Sequence, residues 1–338
     1  MAVGIRNEKV DILRGIAAVL MVLGHSFIVY PINISEVPWC AAVSHFIYTF
    51  HMELFFILAG VVYHCVCYKE YLKKKIKRIV IPYFIFGLSA MMLRAFGGAA
   101  VNGIEPLNEG IEKLLFRGGG YWFLYVSFMI FMFYPALDKV LNKCFWLEVA
   151  SCATLLIIDQ CVAVTSFLTL NTIIHYLPYF IFGRIIAKIS GGGIPQIRLD
   201  VLFSFGLIVF IGLDHLEIYT GDKLGAVLHF VRAIAICTAI YCCITLISKS
   251  NSNHCVKLLR DLFVDASEYS LQIYLFNGYL LTIIRIILCS ILKIRNPLVI
   301  VGSIWLCDLA ISLVLCKCIL PKVPILAQMC GIKVGEVK

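Results

Sequence analysis

The sequence predicts an all-α fold, a polytopic transmembrane bundle of about ten helices whose N- and C-termini both lie in the cytoplasm. Hydrophobic residues make up 61% of the chain and charged residues only 14%, with a mean hydropathy of +0.94. Apolar runs of about 20 residues, the length that crosses roughly 30 Å of hydrocarbon, recur from one end of the chain to the other. Lys and Arg are concentrated in alternate connections, which is the usual bias toward the cytoplasmic side of a membrane.

In chain order, we predict spans at residues 10–30, 43–67, 79–98, 119–138, 145–163, 168–188, 199–216, 224–248, 268–292 and 298–320. The first run is expected to be a retained helix, because it has no small-residue cleavage site and further apolar runs follow it. There is no repeat of fixed period and no segment that suits a soluble domain. Residues 1–338 are therefore expected to form a single integral membrane domain with no fused soluble domain.

The orientation follows from the basic connection "YKEYLKKKIKR" at residues 68–78, which we place in the cytoplasm. With that assignment, 20 of the 29 Lys and Arg residues fall in cytoplasmic segments or the adjoining ends of spans, against five in external loops. The net charge of +9 is then explained by topology and by attraction to anionic membrane lipids, so nucleic acid is not an expected partner. We therefore expect a multi-pass protein of the cell membrane.

The cysteines do not indicate a metal centre or a disulfide framework. The chain has 15 of them, mainly within apolar runs and without CxxC or Cys/His ligand spacing. A free cysteine in such a run behaves as a small buried hydrophobic residue. No metal site is therefore expected.

The first span, within "DILRGIAAVLMVLGHSF" at residues 11–27, carries an ordered set of ionisable residues. Arg14 and His25 are 11 residues apart, or three helical turns plus about 20°, so they share one face. Asp11 precedes Arg14 by three residues and lies on the same face. Arg14 is expected near the cytoplasmic surface, where it either anchors the helix or serves a site, and His25 lies about 16 Å further along the axis. A histidine at that depth indicates either catalysis or transport, or a histidine satisfied within the bundle.

The second span contains "HFIYTFHMELFFILAG", which places His51 and Glu53 several residues inside the bilayer from the external side. Counting about 1.5 Å per residue from either membrane surface puts His51 at a depth similar to that of His25. We therefore predict a polar chamber at this level. His51 and Glu53 are two residues apart and point in different directions on a helix, so they need not serve the same site.

A cationic cluster precedes the third span. Lys75 and Arg78 are three residues apart and share a helical face just before "IVIPYF", and Lys74 is close by. Such a cluster either reflects only the usual excess of Lys and Arg on the cytoplasmic side of a membrane, or it is a binding site for the phosphates of a nucleotide-like donor.

Taken together, these motifs resemble the acyltransferase 3 family of integral membrane O-acyltransferases, in particular its fucose 4-O-acetylase-like members. The resemblance rests on "DILRGIAAVLMVLGH" with Arg14 and His25, on "FHMELFFILAG" (50–60) and on "KKIKRIVIPYF" (74–84). Weaker similarities are "YWFL" (121–124), "LPYFIFGRI" (177–185) and "SEYSLQIYLFN" (267–277). The order and spacing of these strings extend the resemblance over nearly the whole chain.

The resemblance implies transfer of an acyl group, usually acetyl, from acyl-CoA to a hydroxyl of a carbohydrate or lipid-linked glycan of the cell envelope. It implies His25 as the catalytic general base and Arg14 as its basic partner. The residues expected to bind acyl-CoA are Lys75, Arg78 and Lys74, and those expected to support the site are His51, Glu53 and Asp11. No cofactor is expected to be bound permanently, since acyl-CoA is a substrate. Membrane lipids and separate glycan-assembly proteins are further expected partners.

The assignment is chemically reasonable, because a hydroxyl that attacks a thioester must lose its proton and a neutral histidine can accept it. It also predicts a split site, with the phosphates of CoA near the cytoplasmic face and the chemistry deeper in the membrane. The alternative is a multi-pass transporter or flippase of a small solute or glycan precursor, which would also use buried charges. The sequence leaves open the acceptor, the choice of acetyl, succinyl or another acyl group, and the side from which the acceptor enters.

Three positions depart from the family pattern. Lys75 stands where the R-x-x-R motif has arginine, which keeps the charge but loses the bidentate fork of a guanidinium group. Glu53 occupies a position that is more often proline. Asn277 stands where many relatives have histidine, so no proton transfer is assigned to that span.

Overall fold

The structure, a computed structural model, describes residues 7–97, 105–189, 199–220, 225–249 and 254–332. These residues form helices and connecting turns without any strand, which confirms the predicted all-α class. The α-helices are α1 (Glu8–His25), α2 (Pro38–Tyr48), α3 (His51–Val61), α4 (Tyr68–Lys75), α5 (Ile81–Phe96), α6 (Leu107–Phe116), α7 (Trp122–Leu141), α8 (Phe145–Cys161), α9 (Leu170–Ile189), α10 (Leu199–Thr220), α11 (Gly225–Lys249), α12 (His254–Glu268), α13 (Ser270–Arg285), α14 (Pro297–Val314) and α15 (Pro324–Met329).

Six helical stretches in the described residues are long and apolar enough to cross a membrane. They are Pro38–Val61, Tyr68–Phe96, Leu107–Leu141, Gly225–Thr245, Ser270–Ile291 and Pro297–Lys322. Helix α1 is not among them, because its first two turns carry Glu8, Lys9, Asp11 and Arg14. The total of about ten spans and the cytoplasmic position of both termini stay predictions.

The first predicted span is shorter in the structure than residues 10–30. Helix α1 ends at His25, and Ser26 terminates it by donating a side-chain hydrogen bond of 2.8 Å to the Val22 carbonyl. Its hydroxyl thus competes with the backbone for a helical carbonyl, as serine commonly does at helix ends. His25 is therefore a helix-terminal residue.

The second predicted span, residues 43–67, is interrupted. Helix α2 ends at Tyr48, and α3 begins at His51. Thr49 donates its hydroxyl to the His45 carbonyl at 2.8 Å, and Phe50 has φ −148°, outside the helical region. The prediction of one continuous helix was wrong here. The break places His51 and Glu53 in the first turn of α3.

The basic segment 68–78, predicted as a connection, is helical and continuous with the third span. A π-helical segment, Ile76–Val80, joins α4 to α5. Pro82 explains this wider turn, because proline lacks an N–H and its ring crowds the carbonyl four residues earlier, which is that of Arg78. The Arg78 carbonyl instead faces Gly331 near the end of the described chain.

Helices α3 and α9 cross at two glycines. A Cβ atom on Gly60 would overlap the Phe180 carbonyl, and one on Gly183 would overlap the Ile57 carbonyl. Small residues allow two helix backbones to approach this closely, which is the usual basis of tight packing between membrane helices. The crossing fixes the position of α3 relative to α9 and therefore the position of the polar residues on both helices.

We predict that Gly183→Ala destabilises the protein by about 1–3 kcal/mol, because its methyl group would force α3 and α9 apart. The measurement is thermal unfolding of the purified protein in detergent. Gly302→Ala is the matched control, since Gly302 lies in α14 with nothing within 4 Å of the added Cβ. Equal melting temperatures for the Gly183→Ala protein and wild type would contradict the close crossing.

Candidate active site

His25 is presented at the end of a firmly packed helix. Ala17, Ala18 and Val22 of α1 are fully buried, whereas the His25 side chain is exposed. The ring of Tyr48, at the end of α2, meets the His25 ring edge-on, with centroids 6.3 Å apart and planes at 82°. The imidazole is therefore positioned by α1 and α2 and lies at the surface of the bundle.

His51 also contacts Tyr48. Its ring centroid is 5.1 Å from that of Tyr48, and the side chain is 2% exposed. Its Nδ1 lies 2.9 Å from the Ile47 carbonyl, to which it donates a hydrogen bond across the break between α2 and α3. That bond leaves Nε2 as the acceptor of the neutral ring. The structure thus brings the two histidines that were predicted at one depth into contact with a single tyrosine, Tyr48.

The predicted cations come together near the other end of α1. Lys75 lies within electrostatic range of both Arg14 and Arg78. Its Nζ is 3.6 Å from the ring centroid of Phe131, a distance typical of a cation–π contact. Asp11, which is 8% exposed, forms an ion pair of 3.6 Å with Arg14 and so acquires a structural partner.

This cationic cluster, Arg14, Lys75 and Arg78, has a clear electrostatic consequence. Three like charges held close together repel one another, and Asp11 offsets only part of that charge. Arg78 and the neighbouring Lys74 are exposed, so an anionic ligand can reach them. The cluster and His25 are separated by the length of α1 between Arg14 and His25, about 16 Å.

A second polar cluster was not predicted from the sequence. The Glu53 cluster consists of Glu53 (α3), Asp159 (α8), His175 and Tyr179 (α9) and His229 (α11). Oε1 of Glu53 lies 3.8 Å from Nε2 of His229. His175 donates from Nδ1 to Asp159 at 2.8 Å, and the Tyr179 hydroxyl and His229 Nδ1 share a hydrogen bond of 2.9 Å.

An open cavity of about 420 Å³ adjoins the Glu53 cluster. Its lining residues combine aromatic and polar side chains: Trp122, Asp159, Asn171, Thr172, His175 and Tyr176. Tyr176 is stacked between Phe56, at 4.6 Å, and Trp122, at 5.5 Å. The cavity therefore has an aromatic wall and a polar wall, to which Asp159 and His175 of the cluster contribute.

Glu53 and His51 contact different groups, which is compatible with their two-residue spacing. His51 contacts Tyr48, whereas Glu53 approaches His229. The sequence carried one signal for the members of the Glu53 cluster that we did not predict, which is that other ionisable side chains also lie within predicted spans. His229 and Arg232 in particular are three residues apart and share one helical face. Their partners lie on other helices, however, and the spacing of residues in the sequence does not identify partners on another helix.

Asn277 takes part in a third polar contact, between α13 and α14. It donates from Nδ2 to Asp308 at 2.9 Å, and Ser312 donates its hydroxyl to the other carboxylate oxygen at 3.1 Å. All three side chains are buried. The position that departs from the family pattern therefore ties two helices together.

In the residues that the structure describes, the chain combines an all-helical fold, six helical stretches suited to a membrane, two histidines that contact one tyrosine, and a cationic cluster. The family model of the acyltransferase domain called acyltransferase 3 matches residues 7–316. The chain belongs to the acyltransferase 3 family and is a membrane acyltransferase, which confirms the resemblance found in its motifs. Comparisons with curated proteins and with solved structures gave no match.

We predict that Asp308→Ala lowers the free energy of unfolding by about 1–3 kcal/mol, because it leaves the Asn277 amide buried without its acceptor. Asp308→Asn is the matched variant, since its amide keeps the size of the side chain and an oxygen that accepts from Asn277. Thermal unfolding in detergent provides the comparison. If both variants melted at the wild-type temperature, Asp308 would have no part in joining α13 to α14.

Proposed function

We propose that this protein is a membrane O-acyltransferase that moves an acyl group, acetyl in the simplest case, from acyl-CoA to a hydroxyl of a carbohydrate or cell-envelope glycan. The observation that carries the proposal is the arrangement along α1. An accessible histidine stands at one end, beside a second histidine, and a cationic cluster stands toward the other end. The family assignment supports the reaction class.

The chemical step is assigned to His25. Its neutral imidazole takes the proton of the acceptor hydroxyl as the oxygen attacks the thioester carbonyl. The C–S bond then breaks, the acyl group stays on the acceptor oxygen, and the proton passes from the imidazolium to the departing CoA thiolate. His51 is assigned a supporting role, because the Nδ1 bond to the Ile47 carbonyl fixes the orientation of its ring beside Tyr48.

The donor is assigned to the cationic cluster. The phosphates of acyl-CoA would relieve the repulsion among Arg14, Lys75 and Arg78, and charge-assisted hydrogen bonds to phosphate are among the stronger ones in proteins. Lys74 adds an exposed charge beside them. The flexible arm of CoA would then follow α1 for about 16 Å and bring the thioester to His25.

The remaining assignments follow from these two. Asp11 orients Arg14 through their ion pair. Acyl-CoA is a substrate rather than a resident cofactor, and the acceptor is a carbohydrate or a lipid-linked glycan delivered by separate glycan-assembly proteins. We place the protein in the cell membrane with several passes, surrounded by lipid.

We predict that His25→Ala lowers kcat by about 10²–10⁴, because the acceptor hydroxyl then has no general base. The assay uses radiolabelled acetyl-CoA with the purified protein in liposomes and a panel of carbohydrate acceptors, and it measures both released CoA and labelled product. His64→Ala is the matched control, since His64 is an exposed histidine beyond the end of α3.

A folded His25→Ala protein with wild-type turnover would refute the role of His25. Movement of an unmodified solute across the liposome membrane without release of CoA would refute acyl transfer and favour the transporter or flippase alternative. Melting temperatures measured on the same samples separate loss of chemistry from loss of folding.

A further inference from the structure

The Glu53 cluster brings a carboxylate and two imidazoles from three helices to one point. Glu53, His175 and His229 each offer one ligand atom, and these atoms all lie within 4.8 Å of one another. We propose that the three side chains bind a divalent metal ion of the zinc class and leave a fourth coordination position open to the adjoining cavity. Two histidines with one glutamate, plus an open position, form a ligand set that proteins use for zinc.

The distances are close to those of a formed site. In a tetrahedral zinc site with bonds of about 2.0–2.1 Å, ligand atoms are about 3.3 Å apart. Glu53 Oε1 and His229 Nε2 are at 3.8 Å, so this pair needs only a small adjustment. The ring centroids of His175 and His229 are 5.5 Å apart, which allows both rings to turn a nitrogen toward a common point.

The outer contacts of both histidines suit ligation. His175 donates from Nδ1 to Asp159, which leaves the lone pair on Nε2. His229 uses Nδ1 for its hydrogen bond with the Tyr179 hydroxyl, which likewise leaves Nε2 directed at Glu53. Histidine ligands of metals almost always have their second nitrogen held in this way by a carboxylate or another polar group.

Glu53 supplies a second, independent observation. The residue is 2% exposed, and no donor among the described residues reaches its Oε2. A buried carboxylate oxygen without a partner is costly, and a metal ion would satisfy it. Arg232 is also buried and lies within electrostatic range of Glu53.

The cavity of about 420 Å³ provides access to the ion. His175 lines it, and the side chains of His175 and His229 are 30% and 23% exposed. The fourth ligand would therefore be water or an oxygen of a molecule held in the cavity. This site is separate from the residues assigned to acyl transfer, since neither His25 nor the cationic cluster belongs to it, so the two proposals stand or fall independently.

Metal content tests the proposal directly. The full-length protein would be purified with a tag that contains no histidine, equilibrated with zinc, separated from free metal and analysed by mass spectrometry for zinc per chain. We expect stoichiometric zinc in wild type and in the control His64→Ala, and its loss in Glu53→Gln, His175→Ala and His229→Ala. Asp159→Asn should weaken binding by about 10–100-fold, because Asp159 holds only the outer nitrogen of His175.

Cobalt(II) replaces zinc in a second test, which reports the type of ligand directly. The chain has 15 cysteines, which are competing zinc ligands, and thiolate coordination of cobalt gives a charge-transfer absorption that nitrogen and oxygen ligands do not. We expect visible cobalt bands without that absorption, and a melting temperature that rises with metal in wild type but not in Glu53→Gln. Wild type that holds no more zinc than His175→Ala, or a cobalt spectrum dominated by thiolate, would overturn the proposal.

Discussion

A polar or charged side chain inside an apolar helical bundle is stable only when another part of the bundle supplies its partner. This constraint organises the structure. Asp11 pairs with Arg14 within α1, Asp308 accepts from Asn277 and Ser312, and Asp159 accepts from His175. Each of these contacts joins two turns of one helix or two neighbouring helices. The constraint is met only in part at the exposed ring of His25 and at the cationic cluster, which are the places to which we assign the chemistry.

Much of the arrangement of α1 could be predicted, because it depends only on helical geometry. The spacing of Asp11, Arg14 and His25 fixes one polar face for any regular helix, and the Asp11–Arg14 ion pair follows from that spacing. The similar depth of His25 and His51 also follows from counting residues along two antiparallel helices. The family could be inferred for a related reason, since its motifs are short, ordered strings that survive in the sequence itself.

Other features depend on contacts between distant segments and could not be predicted in this way. The break between α2 and α3 arises where the Thr49 hydroxyl competes for the His45 carbonyl, a choice that an apolar run does not reveal. The π-helical segment Ile76–Val80 depends on how the chain accommodates Pro82. The Glu53 cluster depends on the crossing of α3 and α9 at Gly60 and Gly183. The sequence does not show which glycines in separate apolar runs lie at the same helix crossing.

In the proposed mechanism, donor binding and chemistry are divided between the two ends of α1. The binding of CoA itself, measured calorimetrically on the full-length protein in nanodiscs, tests this division most directly. We predict that Lys75→Ala weakens CoA binding by about tenfold or more, because one charge-assisted contact is lost, whereas His25→Ala leaves the affinity unchanged. Loss of CoA binding in a folded His25→Ala protein, together with wild-type affinity in Lys75→Ala, would contradict it.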